Sequence, residues 1–294
     1  MNKLKLKKQL QEFFLEDLGE GDITCGLLFP EDEETEARFI AKKSGVFSGM
    51  DVISEGYRLL SENCTVVPNV KDGDVIKPGQ ILAEVKGPAS AIFGGERVIL
   101  NLVQRMSGIA TLTNEAVTVL NSEKTKICDT RKTTPGIRMF EKYAVRCGGG
   151  YNHRFGLYDG VMVKDNHIAR AGGITEAVNT VKSSLGHMVK VGVETENLEQ
   201  VKEAVCAGAD VIMFDNRTPE EIGAWKHHVP GHIITEASGG ISLDELRHYG
   251  KTGVNFISLG LLTHSAVSLD ISLNITGGLK DELTGSHQAE IRNS

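Results

Sequence analysis

The sequence predicts an α/β chain with an α+β front half and an incomplete α/β barrel of about six strands behind it. Two observations predict it. From about residue 125, six short β-rich runs recur, each followed by a polar or glycine residue and then by a helical stretch. Such βα repeats build a parallel sheet with right-handed crossovers. The second observation is length: a closed eight-fold barrel takes about 250 residues, and only about 150 remain. A flat doubly wound sheet is the alternative. Its G-x-G-x-x-G fingerprint is missing after the first run, where the chain reads TRKTTP.

The elements follow in order. MNKLKLKKQLQEFFLEDL reads as an amphipathic helix, with lysines but too short an apolar core for a secretory signal. A basic helix lying on a membrane surface is the competing reading, and Glu12, Glu16 and Asp17 oppose it. ETEARFIAKKSGVFSGMDV (34–52) alternates as strands do. VKDGDVIKPGQILAEVKGPASAIFGGE (70–96) adds two apolar segments separated by Gly/Pro turns, as antiparallel strands are. GGERVILNLVQRMSGIATLTNEAVTVL has helical spacing at Val98, Leu102, Ile109 and Leu112.

The six later runs are TKICD (125–129), YDGVMV (158–163), MVKVGV (188–193), ADVIMF (209–214), HIITEA (232–237) and VNFISL (254–259). Helical stretches at 197–208 and 219–229 lie between them. TPEE puts Thr218 at a cap, Pro219 first in the helix and Glu221 three on, and SLDE at 242–245 reads as a second capping box. The tail 277–294 is polar and expected to be mobile.

Composition excludes several classes. The chain of 294 residues is 40% hydrophobic and 24% charged, with a formal net charge of -7. That balance, with 5% aromatic residues, argues against a nucleic-acid binder. No run of 18 apolar residues occurs, so no membrane span is expected. The five cysteines are odd in number and hold no C-x-x-C pair. This argues against a disulfide framework and a structural zinc site, and for free, mostly buried thiols in a reducing cytoplasm.

Against that acidic background, DTRKTTPGIRMFEKYAVRCGGGYNHR (129–154) holds six permanent cations (Arg131, Lys132, Arg138, Lys142, Arg146, Arg154) and only Asp129 and Glu141 as anions. The predicted strands end in Asp129-Thr130-Arg131-Lys132, Lys164, Glu194, Asp215-Asn216, Ser238-Gly239-Gly240 and Gly260, with His264 just beyond. Barrel enzymes place their chemistry at these ends. Ser-Gly-Gly before a capped helix reads as a phosphate cradle, or equally as an ordinary glycine loop. Arg131, Arg154 and Lys164 suit further anions. Glu194 and Asp215 fit Mg²⁺ or ribose hydroxyls; alternatively each pairs with a lysine. Gly148, Gly149 and Gly150 allow close backbone approach or a tight turn. The expectation is a receptor for substrates with several carboxylates and phosphates.

The strings LNLVQRMSGIAT (101–112), DTRKTTPGIR (129–138), EKYAVRCGGGYNHRFGLYDGVMVKDNH (141–167), MFDN (213–216), EASGGI (236–241) and SLGLLTHS (258–265), with GDIT (21–24), resemble the quinolinate phosphoribosyltransferase family, in family order up to about residue 275. The resemblance implies an N-terminal α+β sandwich domain (1–115, joined by the C-terminal segment 270–294) plus an incomplete, six- or seven-stranded α/β barrel (116–269). It implies conversion of quinolinate and phosphoribosyl pyrophosphate to nicotinate mononucleotide, pyrophosphate and CO₂, with Mg²⁺, in the cytoplasm.

By matched position, Arg131, His153, Arg154 and Lys164 would hold quinolinate. Arg105 would be donated across the interface of a homodimer or an assembly of dimers. Lys132, Ser238, Gly239, Gly240, Gly260 and His264 would hold phosphoribosyl pyrophosphate. Lys164, Glu194 and Asp215 would be catalytic, and Glu194 and Asp215 would also serve the metal. The third strand of the family often ends Glu-Val-Glu; here it reads Gly192-Val193-Glu194. Alternatives are a paralogous phosphoribosyltransferase-like protein linked to molybdate transport, the related nicotinate phosphoribosyltransferase, and a non-catalytic phosphosugar or nucleotide sensor.

Overall fold

The computed structural model describes residues 1–30 and 33–276. The polar tail 277–294 lies outside the described residues. The chain divides into two compact units, Met1–Thr111 with the segment from Val267, and Leu112–Ala266.

The first unit opens with α1 (Lys3–Leu18) and α2 (Ile23–Leu28), followed by β1 (Glu34–Ala41) and β2 (Gly45–Val46). Leu6, Leu10 and Phe14 recur every four residues and bury one face of α1. Asn2 caps that helix by accepting from the Lys5 N–H. Next come α3 (Met50–Leu60), β3 (Thr65–Pro68), β4 (Val75–Ile76), β5 (Ile81–Pro88) and the long α4 (Ala89–Leu120). A four-stranded antiparallel sheet runs in the order Ile271–Thr276, β1, β5, β3. Ala37, Phe39 and Ala41 alternate inward on β1, while Arg38 pairs with Glu84 across the outer face at 3.3 Å.

Two expectations for this unit change. The residues from Met50 continue as a helix, not a strand. Gly49 sits at φ 130° and breaks the extended run. The Asp72 carboxylate then accepts from the Gly49 and Met50 N–H groups at 2.8 and 3.0 Å, which caps the helix. The two segments of 70–96 do not pair with each other. β4 pairs with β2, and β5 lies between β1 and β3.

Gly108 marks where α4 meets the segment leading to the last strand. A Cβ there would overlap the Val267 carbonyl oxygen and crowd the Ser268 Cα, both of them backbone. Gln104 fastens the same segment, accepting from the Leu269 N–H and donating to the Ile271 carbonyl. Gly108→Ala is therefore expected to cost about 1–3 kcal/mol, as overpacking does. A thermal melt lowered by several degrees is the check.

The second unit holds β6 (Lys126–Cys128), α5 (Arg138–Cys147), β7 (Val161–Val163), α6 (Asp165–Ala171), α7 (Ile174–Ser184), β8 (Val191–Thr195) and α8 (Leu198–Cys206). It continues with β9 (Val211–Asp215), α9 (Pro219–Lys226), β10 (Ile234–Ser238), α10 (Leu246–Lys251), β11 (Phe256–Ser258) and α11 (Leu261–His264). All six strands are parallel, in the order β6-β11-β10-β9-β8-β7. That is the cyclic order of a barrel left open between β6 and β7, and not the order of a doubly wound sheet. At the open seam Tyr151 adds a single bridge to β6, donating to the Ile127 carbonyl and accepting from the Asp129 N–H.

Strand alternation sorts the residues. Val193, Phe214, Ala237 and Ile257 are buried, and Phe214 meets Trp225 of α9 at 6.5 Å between ring centres. Thr218 and Glu221 make the expected capping box on α9, with Pro219 in its first turn. The second box is only half made. The Ser242 N–H and hydroxyl both donate to the Glu245 carboxylate, closing a turn, and α10 starts at Leu246.

All five thiols are free. Cys25 and Cys128 are buried, Cys64 and Cys147 half-buried, and Cys206 exposed. Burial pushes the Cys128 thiol well above its ordinary value. Among the described residues no helix is long and apolar enough to cross a membrane.

Candidate active site

A cavity of about 790 Å³ opens at the carboxyl ends of the six strands. At or just past their ends, four of the six strands carry lining residues two apart, the period that sends alternate side chains to one face. They are Met162 and Lys164, Met213 and Asp215, Glu236 and Ser238, Ser258 and Gly260; Glu194 is the last but one residue of β8, and Thr130, Arg131 and Lys132 follow β6. Gly192 lies two residues before Glu194. A Cβ there would stand 2.9 Å from the Met162 Cε, so the Met162 thioether fills the space a larger residue would need.

The cations of 129–154 divide into two groups. Arg131, Lys132 and Arg154 line the cavity. The other three build its wall. Lys142 is fully buried and donates to Asp129 at 2.5 Å and to the His153 carbonyl at 2.9 Å. Arg138 donates to the Phe155 carbonyl and the Thr133 hydroxyl. Arg146 donates to the Gly150 carbonyl and stacks over Tyr151.

Asp129 gathers this wall. Besides Lys142 it accepts from the Asn152 amide and the His153 N–H. Burial raises its pKa from the ordinary value, and these donors oppose the rise. The segment it grips delivers His153 and Arg154 to the cavity. Burial, and then the neighbouring Arg131 guanidinium, lower the Arg154 pKa. Two cations held close enough to repel await an anion. Arg131 makes no side-chain hydrogen bond or ion pair among the described residues, whereas Arg154 donates to the Gly160 carbonyl at 2.7 Å.

The opposite wall carries carboxylates and glycines. Lys164 and Glu194 pair at 2.5 Å. Asp215 accepts from the Asn216 amide at 2.6 Å. Gly239 sits at φ 100°, and a Cβ on it would stand 2.7 Å from the Asn216 nitrogen, so both conformation and space call for glycine. Gly260 lies beneath Lys132 and His264. A turn separates Ser238-Gly239-Gly240 from α10, so any anion cradle there rests on loop N–H groups and not on a helix terminus.

His153 and Glu236 meet in the floor. Burial, reinforced by the Lys142 and Arg154 charges, pushes His153 down to about 4. Its Nδ1 accepts from the Arg154 N–H at 2.8 Å, which leaves the single proton on Nε2, 3.5 Å from the Glu236 Oε2. Glu236 is pushed up to about 7 by burial, with Asp129 and Glu194 adding to the rise and Ser258 opposing it. This spacing would suit an ion pair, yet the histidine is neutral. A neutral donor therefore faces a carboxyl group that is half-protonated near pH 7.

Of the site residues named from sequence, Arg131, Lys132, His153, Arg154, Lys164, Glu194, Asp215, Ser238, Gly239, Gly240, Gly260 and His264 line this one cavity. Arg105 is on α4, in the first unit, and is not among the lining residues. Sequence reasoning gave no role to Glu236, although an acid inside the β-rich run HIITEA was the available signal. Met162, Met213 and Ser258 were also missed. Apolar or small residues inside a strand are indistinguishable by type from core. Among the described residues no three His, Cys, Asp or Glu side chains converge as a protein-only metal cage would. Glu194 and Asp215 fit Mg²⁺, which keeps water and substrate oxygens as most of its ligands.

Comparison with known proteins follows the same lines. Residues 22–107 match the family model for the quinolinate phosphoribosyl transferase N-terminal domain, and residues 109–274 that for the C-terminal domain. The chain is 57% identical over 276 residues to the probable nicotinate-nucleotide pyrophosphorylase (carboxylating) of Bacillus subtilis, covering 94% of this chain and 95% of that one. The solved nicotinate-nucleotide pyrophosphorylase of Francisella tularensis is 38% identical with a TM-score of 0.88, covering 94% of this chain and 98% of the other. NadC from Streptococcus pyogenes is 36% identical with a TM-score of 0.90, at the same coverage. The chain belongs to the quinolinate phosphoribosyltransferase family.

Proposed function

We propose that the chain transfers the phosphoribosyl group of phosphoribosyl pyrophosphate to quinolinate, releasing pyrophosphate and CO₂ and forming nicotinate mononucleotide. The observation that carries the reading is the cavity itself. Arg131, Lys132, Arg154 and Lys164 line it together with Glu194 and Asp215, at a volume suited to two small polyanions.

In this reading Arg131, His153, Arg154 and Lys164 hold the two ring carboxylates, and Arg105 is supplied by a second copy of the chain. Lys132, His264 and the loop N–H groups at Ser238, Gly239, Gly240 and Gly260 hold phosphate. Glu194 and Asp215 would hold Mg²⁺, which when bound neutralises charge on the pyrophosphate. The residues 1–115 with 270–294, and 116–269, would be the two domains. The ring nitrogen attacks the anomeric carbon as pyrophosphate leaves. Glu194 and Asp215 stabilise the positive charge that develops on the ribose, and Lys164, paired with Glu194, sits between the two substrates. Catalysis is chiefly positioning and electrostatics, so no cysteine is needed as nucleophile. Once alkylated, the cationic nitrogen accepts the electrons released as the adjacent carboxylate departs.

The test is an assay of pyrophosphate and CO₂ release, comparing quinolinate with nicotinate. Both products are expected with quinolinate only. Chelation should abolish release, and excess Mg²⁺ should restore it. Pyrophosphate without CO₂, formed from nicotinate, would overturn the assignment.

A further inference from the structure

We propose that Glu236 is the acid that delivers a proton to the ring carbon from which CO₂ departs. The inference rests on the transferase reading above and goes one step past it. Loss of CO₂ breaks the bond between that carbon and its carboxylate and leaves the electron pair on carbon, next to the cationic nitrogen. A proton must then replace CO₂. It comes from the Glu236 carboxyl, whose oxygen keeps the O–H electron pair, and solvent reprotonates the resulting carboxylate.

Geometry selects Glu236 over its neighbours. It is 4% exposed yet lines the cavity floor, and its Oε1 has no hydrogen-bond partner among the described residues. An unpaired buried carboxyl oxygen is costly, and a catalytic role is one explanation for keeping it. Its other oxygen faces the Nε2 of His153 at 3.5 Å, so the histidine can steady the carboxylate formed after transfer. The remaining candidates are committed. Lys164 is paired with Glu194 at 2.5 Å, and Asp129 is bound by Lys142, Asn152 and His153. His153 turns its only ring proton toward Glu236. The groups facing Glu236 are therefore His153, the carboxylates of Asp129 and Glu194, and the Ser258 hydroxyl on β11; from β9 its register partner is the apolar Met213. Burial and the two carboxylates keep Glu236 partly protonated near neutrality, as a general acid must be.

Single-turnover kinetics on Glu236→Gln, with quinolinate and phosphoribosyl pyrophosphate, tests this. Pyrophosphate should form in a burst at a rate within a few-fold of the unaltered protein. Nicotinate mononucleotide should follow ~10²–10⁴-fold more slowly, the usual worth of a positioned acid. In the unaltered protein kcat should fall as pH rises through about 7, and that limb should vanish in the variant. Should Glu236→Gln not fold, Glu236→Asp must show the same split between the two products. The proposal is overturned if both products slow together while KM for quinolinate rises, which is what a residue that only shapes the site would give. It is also overturned if the pH limb survives the substitution. An unaltered protein releasing no CO₂ from quinolinate would instead sink the transferase reading, and this inference with it.

Discussion

Arg131→Ala is expected to raise the quinolinate concentration for half-saturation by about thirtyfold or more while the protein stays folded. A planar guanidinium donates two parallel hydrogen bonds to a carboxylate, and each charge-assisted bond is among the stronger ones proteins make. Removing one partner of such a pair in an enclosed site costs about 2–5 kcal/mol, and each 1.4 kcal/mol is tenfold in affinity. The fold has little stake in Arg131, because its side chain makes no hydrogen bond or ion pair among the described residues. Lysine at this position should recover only part of the loss, since it offers a point charge in place of a fork. Steady-state kinetics paired with a thermal melt separates the outcomes. Near-normal saturation by quinolinate would remove Arg131 from the receptor.

Lys142→Met is expected to do the reverse: a destabilisation of about 3–5 kcal/mol, the usual result of stripping one partner from a buried ion pair. Asp129 and Lys142 are both fully buried, so the remaining carboxylate would have no route to water. The loop carrying His153 and Arg154 would lose its shared anchor, because Lys142 also holds the His153 carbonyl. Asp129→Asn with Lys142→Met should recover part of the loss, since it removes the orphaned charge as well. Denaturant unfolding of the single and double variants measures it. A Lys142→Met protein of unchanged stability but poor quinolinate affinity would return that lysine to the ligand side.

These two residues show what could be read before the structure and what could not. Both sit in one cationic string, and by type both looked like substrate ligands. Residue type does not say which way a side chain turns. The last residues of parallel strands were legible because their exposure at the barrel mouth follows from topology, and a polar, charged or glycine residue stood at each end. The helix at Met50 was not legible, because its cap comes from Asp72, 22 residues away in sequence. Glu236 escaped for a related reason. Its pairing with His153 closes across the sheet between segments far apart in the chain, and no local spacing announces it. The second capping box misled because Ser242 and Glu245 do bond to each other, but as a turn.

The open seam has a consequence of its own. Elsewhere around the ring, neighbouring strands are laced by backbone hydrogen bonds that do not depend on side-chain charge. Between β6 and β7 the lacing is one bridge at Tyr151, and the tie beyond it is the Asp129 carboxylate gripping Lys142, Asn152 and the His153 N–H. The chain has thus fastened its ring with a clasp made of charge, at the stretch that also presents Arg131 and Arg154. The proposed receptor and the clasp are cut from one piece of sequence. Whatever loosens the buried charge is expected to displace Arg131 and Arg154 before it disturbs the pleated wall.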